Sequence, residues 1–177
     1  MRFCAYGSER WVDIMNVFTV SLFGHREIDD LRFLSNQLTL VVSGLMQAKP
    51  YIAFLIGRNG EFDEFGVSVI KSVQKQLGKE NNEINLVLPY TVADIEYYEK
   101  YYDGIIIPET LCGVHPKSAI TLRNRWMVEQ SDLVIVYVNH SSGGAYTAKK
   151  YAEKLGKRII NLCSDDTIPT FASNVRV

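Results

Sequence analysis

The stretch DLVIVYVNHSSGGAYTAKKYA, Asp132 to Ala152, sets the architecture. Leu133 to Val138 is an unbroken apolar run of strand length, the pattern of a strand covered on both faces in a parallel sheet. Two serines and two glycines then turn the chain, and Ala145 to Leu155 reads as a helix. Small residues at such a turn leave backbone N–H groups uncovered at the positive end of the helix dipole, so Ser142, Gly143, Gly144 and Thr147 read as a phosphate cradle. The competing reading is serine N-capping with glycines that serve a tight turn.

The same strand, glycine turn and helix recur toward the N-terminus. NVFTVSLF, Asn16 to Phe23, is a strand followed at once by Gly24-His25-Arg26. Ile28, Leu31, Leu34, Leu38, Val41 or Val42, and Leu45 then recur at helical spacing as far as Lys49-Pro50. Tyr51 to Ile56 is a second strand and ends in GRNGEFD, Gly57 to Asp63. Phe62, Phe65, Val69, Val73 and Leu77 mark the next helix, which stops at Gly78. Further strands are expected at Ile84 to Leu88, Gly104 to Ile107 and Arg158 to Leu162, with helices near Asp94 to Tyr101 and over Lys117 to Gln130. The pattern predicts an α/β fold: a single Rossmann-like domain with a mainly parallel six- or seven-stranded sheet and helices on both faces. It occupies residues 16–163, between an N-terminal extension (1–15) and a C-terminal tail (164–177).

Composition narrows the function classes. A chain of 177 residues with 47% hydrophobic and 22% charged side chains can bury a full core without disulfides or a structural metal. Nineteen basic against twenty acidic residues give a net charge of -1, which argues against sequence-blind coating of nucleic acid. Cys4, Cys112 and Cys163 are odd in number and widely spaced, so a reducing, cytoplasmic setting is expected. No apolar run reaches the ~20 residues of a membrane span. His25, His115 and His140 lack metal-ligand spacing, so no metal is expected.

Ligands of open α/β sheets bind outside the carboxyl ends of the strands, where all the glycine turns fall. Gly24, His25 and Arg26 read as an anion site, or as a turn with a solvated arginine. Gly57, Arg58, Asn59 and Gly60, followed by Asp63 and Glu64, read as a second ligand loop, or as a turn with an N-terminal cap. Arg123 and Asn124 lie on the Lys117 to Gln130 helix beside Arg125, and the two arginines cannot both face inward. Tyr90, Tyr97, Tyr98, Tyr101 and Tyr102 supply aromatic surface for core packing, for a homo-oligomer contact, or for stacking on a base. There is no G-x-S-x-G elbow and no P-loop, so binding is favoured over catalysis.

The ordered set SLFGHRE, LIGRNGEFD, LRNRWMVEQSDLVIVYV and SSGGAYTAKKYA resembles the SLOG superfamily, the Rossmann-like group that includes the LOG phosphoribohydrolases and the DNA-processing Smf (DprA) proteins, and within it the YpsA-like branch. The resemblance covers nearly all of Asn16 to Leu162. It implies a nucleotide-derived, phosphate-bearing ligand related to NAD or ADP-ribose, with no cofactor required. It places Gly24, His25 and Arg26 in a Gly-His-Arg element, Gly57, Gly60 and Asp63 in the second loop, Arg123 and Asn124 in the helix element, and Gly143, Gly144 and Thr147 in the phosphate loop. LOG enzymes carry P-G-G-x-G-T-x-x-E at that loop; here Ser142 replaces the proline, Tyr146 the later glycine and Lys150 the glutamate. The expectation is therefore ligand binding or sensing. The enzymatic alternative is N-glycosidic or phosphoribosyl hydrolysis of nucleotides with Glu64 as acid/base, and a third reading is a single-stranded DNA-binding module.

Overall fold

The computed structural model describes residues 17–58 and 60–163, and all structural statements below concern these residues. Cys4, Asn16, Asn59, the N-terminal extension and the C-terminal tail lie outside them. Strands β1 (Val17–Gly24), β2 (Tyr51–Ile56), β3 (Asn82–Val87), β4 (Gly104–Ile106), β5 (Leu133–Tyr137) and β6 (Arg158–Asn161) form one sheet in the order β4-β3-β2-β1-β5-β6, with every pairing parallel. The helices are α1 (Leu31–Ala48), α2 (Glu61–Leu77), the short α3 (Ile95–Glu99), α4 (Pro116–Gln130) and α5 (Gly143–Lys154). This is a single Rossmann-like α/β domain. None of its described helices is long and apolar enough to cross a membrane.

Alternation along β5 shows how both sheet faces are buried. Leu133, Ile135 and Tyr137 join the cluster built by α1 and α2, whereas Val134 and Val136 join the cluster built by Met127 and Val128 of α4 and Ala145, Ala148 and Ala152 of α5. Ser21 of β1 points toward α4: its hydroxyl donates to the Met127 carbonyl (3.0 Å) and meets the Ser131 hydroxyl, so the end of α4 is fastened to the central strand. Asp132 adds a second fastening, since its Oδ2 accepts from the Thr19 N–H (2.8 Å) and its own N–H donates to the Thr19 carbonyl (2.9 Å).

Several element ends differ from the sequence expectation by a few residues, β3 starting at Asn82 and β4 ending at Ile106 among them, and two of the differences lie beside the site. Helix α1 starts at Leu31 because the Asp30 carboxylate caps it, accepting from the Phe33 N–H (2.9 Å); Ile28 lies before the helix and packs against the core from the loop. Helix α5 starts at Gly143 instead of Ala145. The sheet order reverses at β1: successive strands β2, β3 and β4 extend to one side, β5 and β6 to the other. The loops leaving β1 and β5 therefore diverge and leave a crevice between them.

Candidate functional site

The crevice is a cleft of about 590 Å³ at the carboxyl ends of β1, β2 and β5. Gly24, His25 and Arg26 from the first loop, Gly57, Gly60 and Asp63 from the second, and Gly143 and Gly144 at the start of α5 all line it. Arg123 and Asn124 of α4 complete the set. The first two loops are tied together: the Glu61 N–H donates to the Arg26 carbonyl (3.2 Å), and the Glu61 carboxylate accepts from the Ile28 N–H (3.1 Å).

The glycines serve different purposes. A Cβ on Gly24 would collide with the Phe62 ring, and one on Gly57 would collide with Nη1 of Arg123. These two are glycines because protein side chains fill the space. Gly143 differs, with φ +88 and nothing within 4 Å of a Cβ, so its requirement is conformational. At Gly144 a Cβ would meet only Asn124 Nδ2, at 3.7 Å. The Ser142 side chain makes no cap hydrogen bond, and a helix start of this kind leaves its first N–H groups without intrahelical partners.

Arg123 is buried to 3% exposure, and its Nη1 donates to the Val87 carbonyl at the end of β3 (3.1 Å). Its Nε has no partner among the described residues. Burial lowers its pKa, the Asp63 carboxylate pulls it back up, and Arg58 pushes it down again. His25, at 8% exposure, donates its backbone N–H to the Tyr137 carbonyl (3.3 Å), and its Nε2 is buried without a partner among the described residues. Its pKa is lowered, first by burial and then by His140, with Asp29 opposing. Two residues of the lining, His25 and Arg123, thus each carry a buried nitrogen without an acceptor among the described residues, and the same cleft contains an uncapped helix start, which favours an anion.

Several expected residues lie elsewhere. Arg58 is not part of the lining; its Nη1 donates to the Tyr98 hydroxyl (3.0 Å) and lies 3.7 Å from Asp94, because the aromatic surface of α3 gives the guanidinium a nearer partner. Thr147 returns its hydroxyl to the Gly143 carbonyl (2.9 Å), and Ser142 Oγ lies 3.2 Å from His140 Nδ1, so neither hydroxyl lines the cleft. Glu64 is exposed on the first turn of α2, outside the lining. Conversely, the site includes Glu27, Asp29, Asn139 and His140, which the sequence reading left out. Their one available signal was position: they flank the same two strand ends as the glycine turns.

No family model matches the chain, and no curated protein matches it. Among solved structures, it resembles DNA processing protein A from Helicobacter pylori, whose structure concerns single-stranded DNA binding (TM-score 0.56, 13% identity, 81% of this chain and 64% of that one). It also resembles DNA processing protein A (DprA) from Streptococcus pneumoniae (TM-score 0.54, 17% identity, 81% and 49%). A third likeness is to the molybdenum cofactor binding protein of the phototrophic bacterium Rippkaea orientalis (TM-score 0.54, 20% identity, 83% and 77%). The chain spans less than two thirds of either DNA processing protein. At these identities the likeness establishes the fold: the chain has the Rossmann-like architecture of the DNA processing proteins.

Proposed function

We propose that the protein binds or senses a nucleotide-derived, phosphate-bearing ligand of the NAD or ADP-ribose kind in the cleft at the carboxyl ends of β1, β2 and β5. The observation that carries this reading is the uncapped start of α5 in one cleft with the buried, unpartnered nitrogens of His25 and Arg123. The four ordered motifs and the shared fold support placing the chain in the SLOG superfamily, and the motifs alone resemble its YpsA-like branch. Glu64, the carboxylate proposed as acid/base, is not at the cleft and so gives the hydrolytic alternative no support.

Thermal-shift and calorimetric titration with NAD, ADP-ribose and AMP tests the proposal. A ligand present at a hundred times its Kd adds about 2.7 kcal/mol to stability. Gly144→Asp, which introduces a carboxylate where space is open, abolishes that stabilisation without unfolding the protein. Failure of all three compounds to bind the native chain refutes the reading.

Single-stranded DNA binding is the second reading. It is favoured by the exposed rings of Tyr97 and Tyr101 and by the cations near this cluster, Lys71 over Tyr101 and Arg58 over Tyr98, which give stacking surface and positive charge, and by the DNA-binding activity of the Helicobacter pylori protein. A gel shift at low and high salt separates the two, because strand binding weakens steeply with salt.

A further inference from the structure

His25 and His140 come from different loops, after β1 and after β5, yet their rings stack with centroids 3.5 Å apart and planes 15° from parallel. His25 lies inside and His140 is exposed, and both line the cleft. The charged groups that line the same cleft are Arg26, Glu27 and Asp29 from the first loop, Asp63 from α2 and Arg123 from α4, of which Asp29 acts directly on His25. Two arginines against three carboxylates leave this lining with one net negative charge when both imidazoles are neutral. The Tyr137 ring of β5 meets His25 edge-on at 6.5 Å, and its hydroxyl accepts from the Asp29 N–H (3.2 Å). Asn139 donates to the Asp29 carboxylate (2.6 Å), which fixes that negative charge in place.

A cleft with this balance repels an anion, although its helix start and unpartnered nitrogens invite one. We propose that the stacked His25–His140 pair resolves the conflict by taking up protons as the ligand binds, so that the cleft selects a doubly charged phosphate group over a singly charged phosphodiester. One proton makes the lining neutral, and two make it positive by one. Two imidazolium rings at stacking distance repel each other and need an adjacent dianion to coexist, whereas a monoanion compensates only one. In the empty cleft, burial and mutual repulsion favour neutral His25, which keeps the proton off until the anion arrives. The inference rests on the nucleotide-binding reading and narrows it. A terminal phosphate monoester and a diphosphate bridge both carry the required two charges.

The test is calorimetry on the full chain at pH 7.5 in phosphate-free buffers of different ionisation enthalpy, with AMP, ADP-ribose and 3′,5′-cyclic AMP as probes. Expected is an uptake of between about half and one proton per AMP or ADP-ribose. The affinity of that probe also falls toward a factor of ten per pH unit at higher pH, and cyclic AMP binds at least tenfold more weakly. AMP and ADP-ribose distinguish the monoester from the diphosphate. His140→Gln, a change at an exposed loop position, removes most of the uptake and collapses the preference over cyclic AMP. As a check that needs no variant, the imidazole nitrogens of His25, followed by NMR, titrate at higher pH with the probe bound than without it. Binding with no proton uptake, or an unchanged preference in His140→Gln, overturns the inference and leaves the nucleotide reading standing. Failure of every probe to bind across pH 5.5 to 8.5 overturns both.

Discussion

The two faces of the sheet are built from different materials. Against one, α1 sets Leu34, Leu38, Val41, Val42 and Leu45 and α2 sets Phe62, Ile70 and Val73, all fully buried. Against the other, α5 buries three alanines with Tyr146 and Tyr151 only partly covered, and α4 buries Ala119, Arg123, Met127 and Val128. The first face buries large aliphatic area, the dominant favourable contribution to folding. The second gives up that area: its small residues make room at the start of α5, and its arginine supplies a desolvated charge to the cleft. The long aliphatic side chains of the helices thus lie against one face, while the cleft at the strand ends draws on both, with Asp63 from α2 and Arg123 and Asn124 from α4.

The largest stability effect is expected on the aliphatic face. Leu38→Ala removes a fully buried side chain and should cost about 2–5 kcal/mol by chemical denaturation, with ligand affinity intact where the protein remains folded. On the polar face, Arg123→Met keeps the volume and removes the charge. It also takes the donor from the buried Val87 carbonyl and the positive charge from beside Asp63, so stability should fall by about 1–3 kcal/mol. Nucleotide affinity should fall at least tenfold by calorimetry. A large stability loss with affinity preserved would erase the contrast between the faces.

The smallest effect sharpens the comparison within the polar face. Because the His25 pKa is lowered in the folded state, the unfolded chain binds more protons at mildly acidic pH. Ligand-free stability should therefore fall as pH drops through about 6.5, by no more than about 1.4 kcal/mol per pH unit from this one group. His25→Gln should flatten that slope in urea titrations between pH 7.5 and 5.5.

The aliphatic face was the legible one. Large apolar residues at spacings of three and four along α1 and α2 announce the helices and their inward sides together, and the unbroken run of β5 announces a doubly covered strand. The capping by Asp30, which stops α1 short of Ile28, is not announced in this way, and Leu31 and Leu77, expected on the inward lines, lie exposed near the helix ends. On the polar face the same logic has little to hold. Arg123 sits between Ala119 and Met127 at four-residue intervals, so the inward line of α4 contains a charge, and hydrophobic periodicity cannot rank Arg123 above Arg125. Arg58 was read as a ligand group because it sits between glycines, but its direction is set by Tyr98 and Asp94, 40 and 36 positions further along the chain. His140 carried no signal of its own; its pairing with His25 exists only once β1 and β5 are neighbours.

The outermost strands of the described sheet are also its shortest, three residues in β4 and four in β6, against five to eight for those between them. Pro108 stands two positions beyond β4 and has no N–H to offer. An arriving extended chain would find only a brief run of free amides at either margin, too little to template further growth. The architecture thereby guards against lateral polymerisation while leaving the cleft at the strand ends, at right angles to those margins, open to solvent.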